Sequence, residues 1–161
     1  MLVEHSQCGR GVYMKPVIDH IHVTVADFER AERFYDRLLP LLGFDLANKE
    51  RDAVPEHEYR IVECYSSNFS FGIVSPRPAY KDERINRRKP GALHHLAFRA
   101  DSRVEVDKLY LQVKALGAEI VHEPRLYPEY CKDYHAFFFK DSEGIEYEIV
   151  HFDRAGCFLL E

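Results

Sequence analysis

No apolar run in the 161-residue chain comes near the roughly 18 residues that a membrane-spanning helix needs. The opening stretch MLVEHSQCGRGVYMK has no apolar centre, so it does not read as a secretory signal. Cysteine is sparse: Cys8, Cys64, Cys131 and Cys157 form no C-x-x-C pair and no Cys/His finger spacing, which argues against a cysteine zinc site. With 46% hydrophobic residues the chain can build a core without a disulfide framework, so the expectation is four reduced thiols in a cytoplasmic protein. A basic excess is missing too. The 22 Lys and Arg are outnumbered by 27 Asp and Glu, a net charge of −5, which excludes the broad basic face of a nucleic-acid binder. Tryptophan is absent, whereas histidine occurs nine times. The question is which histidines do chemistry.

The chain repeats itself. Asp19-His20-Ile21-His22-Val23-Thr24-Val25 and His94-His95-Leu96-Ala97-Phe98-Arg99-Ala100 both alternate apolar and polar residues, as half-buried strands do, and His95 follows His20 by 75 residues. A helix is predicted after each. The first opens at the N-cap Asp27 and carries Phe28, Ala31, Tyr35, Leu38 and Leu42 at helical spacing, with Pro40 interrupting its end. The second opens at Ser102, with Glu105 completing a capping box, and carries Val106, Leu109, Tyr110, Val113 and Leu116. Gly43 and Gly117 are predicted C-terminal caps. Three strand-like runs follow in each half: residues 44–47, 59–65 and 69–74, then 119–122, 135–140 and 145–151. The charged, proline-bearing stretches 48–58 and 75–90 read as loops, the second a solvated connector. Each half is thus strand–helix–three strands, and the two halves must pair to bury both faces of their sheets. Residues 1–16 read as a flexible N-terminal extension. Residues 17–161 read as one domain, with module one at about 17–76, a linker at 77–92 and module two at about 93–152.

Strand alternation sorts the faces. Ile21, Val23 and Val25 point to the helix layer, and His20, His22 and Thr24 away from it. Leu96, Phe98 and Ala100 point to the helix layer, and His95, Ala97 and Arg99 away. In the last strand Tyr147 and Ile149 share one face, Glu146 and Glu148 the other. A sheet face carrying histidines, carboxylates and an arginine is a solvated surface, a pocket lining or a metal site. Two histidines at equivalent repeat positions, joined by a strand carboxylate, make a 2-His-1-carboxylate set suited to iron, manganese, nickel, cobalt or zinc.

Three segments, IDHIHVTVADFERAERFYDRLLPLLGF, HHLAFRADSRVEVDKLYLQVKALGAEIV and YHAFFFKDSEGIEYEIVHF, together resemble the vicinal oxygen chelate superfamily of glyoxalase I, bleomycin-resistance proteins, fosfomycin-resistance enzymes and extradiol dioxygenases. The resemblance spans roughly residues 17–152. It implies an α+β fold of two βαβββ modules forming a curved mixed sheet around a pocket, with helices outside. It also implies a divalent metal held by His20, His95 and Glu148. The fourth family position falls on Gly72, where glyoxalase I carries a glutamate, so a lactoylglutathione lyase-type reaction is in doubt. A slipped alignment would bring in Glu63 instead.

Three ligands with open positions imply an enzyme in which adjacent substrate oxygens chelate the metal. Candidates for acid, base or substrate contact are His22, Arg99, Tyr130, Tyr134 and His135. Glu146 is either an outer partner of Glu148 or a solvated edge residue; His94 falls on the helix-side alternation; His5, His57 and His122 have no identifiable partner; His151 reads as pocket rim. The expected partners are a small oxygen-rich or aromatic substrate and a second copy in a homodimer, with neither nucleic acid nor membrane. A metal-free protein that sequesters a drug or metabolite is the alternative from another class, and a glyoxalase-type isomerase the third.

Overall fold

The computed structural model describes residues 17–158. The expected extension, with Cys8 and His5, lies outside the described residues. Module one runs through β1 (His20–Thr24), α1 (Phe28–Leu38), β2 (Asp45–Val54), β3 (Tyr59–Tyr65) and β4 (Ser70–Val74). Module two runs through β5 (Leu96–Arg99), α2 (Arg103–Ala115), β6 (Glu119–Leu126), β7 (His135–Lys140) and β8 (Glu146–His151), followed by the short α3 (Arg154–Phe158). The sheets have the same order, β1-β4-β3-β2 and β5-β8-β7-β6, with the first two strands parallel and the rest antiparallel. This is the expected pair of βαβββ modules in an α+β fold.

Local chemistry sets the helix ends. The Asp27 carboxylate accepts from the Arg30 amide at 2.9 Å, and the Ser102 hydroxyl accepts from the Glu105 amide at 3.1 Å. Pro40 ends α1, since it cannot donate within the helix, and the chain finishes that segment as a 3-10 turn over Leu39–Leu42 before the left-handed Gly43.

Two strands are longer than the sequence reading. Residues 48–54, expected as loop, belong to β2. Their alternation is carried by charge: Lys49 is turned onto α1, where Glu32 and Asp36 hold its ammonium at 2.7 and 2.5 Å, and Arg51 pairs with Glu32. A strand whose inner face meets a polar helix flank shows no apolar alternation. Likewise β6 continues to Leu126 as an edge strand, where Pro124 is tolerated, with register shifts between Ile120, His122 and Arg125.

The helix-side faces of both sheets share one core. Phe71 of β4, Tyr35 of α1 and Tyr147 of β8 lie within 6.5 Å of one another, and Phe69 stacks on Phe98 at 6.2 Å. Polar groups reinforce the junction. Asp141, in the β7–β8 turn, is buried and accepts from the Tyr35 hydroxyl at 2.5 Å and from the Glu143 and Ile145 amides at 2.8 Å. The Tyr35 and Tyr147 hydroxyls are 2.6 Å apart. Glu143 reaches across to accept from the Ala26 and Asp27 amides at the start of α1 and from Arg30. By strand alternation, the faces that carry the histidines and glutamates lie on the far sides of the sheets from this shared core.

Candidate functional site

The β1–β4 register pairs His22 with Gly72, and the β5–β8 register pairs Ala97 with Glu148. The two pairs are equivalent in the repeat, so Gly72 occupies the position that Glu148 holds in module two. Glu63 is on β3, directly across from Gly72, and not on β4.

In module two, Glu148 is buried at 2% exposure, with His95 Nε2 at 3.4 Å from Oε2 and the Tyr134 hydroxyl donating to Oε1 at 2.6 Å. Burial raises its pKa, against the opposing pull of Tyr134 and His95. Burial and the same hydrogen bond push the Tyr134 hydroxyl up, so it stays a donor. His95 Nδ1 is 2.8 Å from His94 Nδ1, and the His95 ring stands edge-on to Phe138. Thus His94, set aside in the sequence reading, orients His95. Tyr130 stacks on the buried Tyr127 at 5.6 Å and meets Tyr134 edge-on, so this loop forms an aromatic wall over the face.

In module one, the His20 and His22 ring centroids are 4.7 Å apart. His20 Nδ1 is held by Asp19 at 2.9 Å, and His22 Nε2 lies 3.3 Å from Glu63 Oε1. Glu63 also accepts from the Ser70 and Tyr65 hydroxyls. Burial pushes its pKa up, but the hydrogen bonds from Ser70 and His22 prevail and leave it lowered, hence ionised.

His95, Glu148 and Tyr134 therefore form one group and His20, His22 and Glu63 another. Among the described residues no three His, Cys, Asp or Glu side chains converge as a metal cage, so one chain does not join His20 to His95 and Glu148. Arg99 ends β5 exposed, without an ion pair among the described residues, and lines a cleft of about 620 Å³ with Ile21, Phe69 and Phe98. His22 opens on a second cleft, of about 540 Å³, beside Tyr80, Ile85 and Leu93 of the linker.

His135 is not brought to the site. Strand β7, HAFFFK, is buried on both faces, and Phe138 takes the face that meets Glu148; His135 points to the helix side, where Nε2 is 2.8 Å from Asp107 of α2. Glu146 is buried rather than solvated and pairs with Arg87 of the linker. Sequence reasoning missed Arg87, because nothing local distinguishes it from its neighbours Arg84, Arg88 and Lys89. His151 Nδ1 donates to the Ala100 carbonyl at 3.0 Å, and His122 packs on Phe138.

The sequence model of the Glyoxalase/Bleomycin resistance protein/Dioxygenase superfamily matches residues 17–149, most of the chain and both modules. The chain belongs to that superfamily. Uncharacterized protein YqjT of Bacillus subtilis (strain 168) is 29% identical over 132 residues, 81% of this chain and 95% of that protein. The 2,2',3-trihydroxybiphenyl dioxygenase of Sphingomonas paucimobilis is 28% identical over 104 residues, 65% of this chain but 31% of the dioxygenase, so the chain spans about a third of that relative. Two crystal structures share the fold. A glyoxylase/bleomycin resistance protein/dioxygenase domain from Frankia sp. EAN1pec has a TM-score of 0.70 at 18% identity, covering 88% of this chain and all of that one. A glyoxalase I mutant from Zea mays has 0.63 at 19% identity, covering 83% and 44%. Among the described residues no helix is long and apolar enough to cross a membrane.

The donor set of this superfamily member fits a divalent cation. Glu148 is a buried carboxylate with no Lys or Arg partner among the described residues, and an imidazole nitrogen stands beside it.

Proposed function

We propose that the chain is a metal-dependent enzyme acting on a small oxygen-rich or aromatic substrate, with His20, His95 and Glu148 as protein ligands and a homodimer as the working unit. The observation that carries this reading is the Glu148 group: a buried carboxylate beside His95, fixed by Tyr134, on the face away from the shared core and without a Lys or Arg partner among the described residues. A divalent metal bound there supplies Lewis-acid stabilisation of substrate oxygens or, as ferrous iron, access to dioxygen chemistry. The protein's own part is positioning. His94 and Tyr134 orient His95 and Glu148. Phe138 and the Tyr127–Tyr130 stack supply an apolar, aromatic wall. Arg99, exposed and without an ion pair among the described residues, is placed to meet an anionic substrate group. Gly72 supplies no carboxylate, which favours chemistry of the dioxygenase kind over a glyoxalase-type isomerisation.

The dimer rests on two observations. His20 belongs to a group separate from His95 and Glu148, and the strands that carry them, β1 and β5, are each the outer strand of their sheet. A second copy that sets β1 of one chain against β5 of the other covers both edges and joins the two groups.

Metal analysis of protein purified without a histidine tag tests the reading. About one iron, manganese, nickel, cobalt or zinc per chain is expected, lost in Glu148→Gln and His95→Ala. Stoichiometric apo-protein that binds none of these metals would overturn it and leave a metal-free sequestering protein. Mixing unfolded His20→Ala and Glu148→Gln chains and refolding them together tests the shared site. Hetero-dimers regain metal if ligands come from two chains, and regain none if each chain builds its own site.

A further inference from the structure

Module one departs from module two at one cross-strand pair, and the departure is compensated. In module two the last strand carries the large polar side chain, Glu148, and the first carries Ala97 opposite it. In module one the last strand carries Gly72 and the first carries His22 opposite it. A Cβ built on Gly72 would lie 2.7 Å from His22 Cδ2 and 3.1 Å from Nε2. The imidazole therefore lies directly over Gly72 and fills the space in which a β4 side chain would stand. Even an alanine at 72 would displace the ring.

The ring is also oriented. His22 Nε2 lies 3.3 Å from Glu63 Oε1, so a neutral ring that donates Nε2–H to this carboxylate keeps its lone pair on Nδ1. Glu63 is fixed in turn by Ser70 and Tyr65. A carboxylate behind a histidine is the usual way to fix the tautomer of a ligating imidazole and raise its basicity. His20 is arranged alike: Asp19 holds Nδ1 and leaves Nε2. With metal–nitrogen bonds of about 2.1 Å, two imidazoles on one cation have centroids about 4.6 Å apart at a right angle and about 5.3 Å apart at the tetrahedral angle, and those of His20 and His22 are 4.7 Å apart, near the right-angle value.

We propose that His22 is a further protein ligand to the metal, taking the place that Gly72 vacates, so that module one contributes His20 and His22 and module two His95 and Glu148. The inference rests on the metal-enzyme reading above and adds to it a site of three imidazoles and one carboxylate, with Glu63 as the outer partner of His22.

The test uses full-length apo-protein reloaded with Co²⁺ alone, read by calorimetry, visible absorption and proton NMR. His22→Gln is expected to weaken Co²⁺ about 100-fold or more, while Glu63→Gln weakens it by the roughly 10–100-fold typical of an outer partner. The wild type is expected to give three exchangeable, paramagnetically shifted imidazole N–H signals, and His22→Gln two. In His22→Ala, added free imidazole is expected to restore the wild-type absorption bands. Circular dichroism separates ligand loss from misfolding, and a misfolded His22→Gln leaves the imidazole rescue of His22→Ala as the deciding measurement. If both His22 variants keep the wild-type affinity and spectrum while His95→Ala loses Co²⁺, the inference is overturned and the metal-enzyme reading stands. If the wild type binds no Co²⁺, both fall.

Discussion

In module two the site face is roofed: Glu146 and Glu148 are 5% and 2% exposed, beneath Arg87 of the linker and the tyrosines of the 127–134 loop. In module one the same face is open, with the His22 and Glu63 side chains 34% and 22% exposed. The strand order of the two sheets is the same, and so are the registers of the strand pairs that carry these residues, so the difference lies in side chains and connections. The two scaffolds therefore present different polar groups. One holds a desolvated carboxylate beside one imidazole; the other presents two imidazoles, one of them backed by a carboxylate. Their attachment is asymmetric as well, because α1 of module one is tied to the β7–β8 turn of module two through Tyr35, Asp141 and Glu143.

That junction is where the comparison breaks most easily. Asp141→Ala removes the acceptor for the Tyr35 hydroxyl and two backbone amides in a dry environment, leaving them unpaired. The expected loss is about 3–5 kcal/mol in denaturant titration, with Tyr35→Phe costing about 1–2 kcal/mol because Asp141 keeps its amide donors. If the two modules were independent units, Asp141→Ala would split the unfolding into two transitions; one cooperative transition at lower denaturant is expected.

The helix-to-edge-strand ties give the next largest contrast. In module one Lys49, 7% exposed at the side chain, joins β2 to Glu32 and Asp36 of α1. Lys49→Met leaves two carboxylates without their shared cation and is expected to cost about 1–3 kcal/mol. In module two the equivalent tie, Lys114 to Glu123, is solvent-exposed. Lys114→Met is expected to leave the unfolding midpoint unchanged within measurement error.

A smaller effect carries a change of sign. Gly72→Ala in the wild type sets a methyl against the His22 ring and is expected to destabilise by about 0.5–1 kcal/mol, since a half-exposed side chain yields. In the His22→Ala background the obstruction is gone, and the same substitution is expected to stabilise by about 0.5 kcal/mol, as alanine does over glycine within a strand. A double-mutant cycle with no coupling would mean that the ring does not rest on Gly72.

Much of this was readable from the chain. The paired motifs at His20 and His95, the caps at Asp27 and Ser102, and the glycines at 43 and 117 are local signals, and they specified the modules and their order. Gly72 as the vacant position was also readable, because β4 and β8 keep their spacing. What escaped was non-local or lacked contrast. Strand β2 was hidden because its inner residues are charges whose partners sit on α1. His135 was misassigned because HAFFFK is buried on both faces, so alternation has no polar side to mark. The meeting of Glu63 with His22 needs the register of β3 against β4 and of β4 against β1, which no window of sequence contains.

Acid titration sharpens the comparison last, through opposite signs. In module one, burial raises the pKa of Glu32 but the hydrogen bonds from Lys49 and Arg51 outweigh it, and the net position is below the ordinary 4.5. The folded state then binds fewer protons than the unfolded one, so Glu32 contributes stability above 4.5 that is lost as pH falls through its lowered value. In the turn of module two, burial of Asp141 prevails over the Tyr35 hydroxyl and the backbone donors, and its pKa stands above 3.8. Here the folded state binds more protons, so the contribution is complete below 3.8 and is lost as pH rises through the raised value. The thermal midpoints of Glu32→Gln and Asp141→Asn, each subtracted from the wild type across the acid range, are therefore expected to slope in opposite directions. The wild-type advantage over Glu32→Gln grows with pH, and that over Asp141→Asn shrinks. Parallel slopes would show that Asp141 is held as a charged acceptor by its donors rather than burdened by its burial, and would make the junction between the modules electrostatically equivalent to the Lys49 tie.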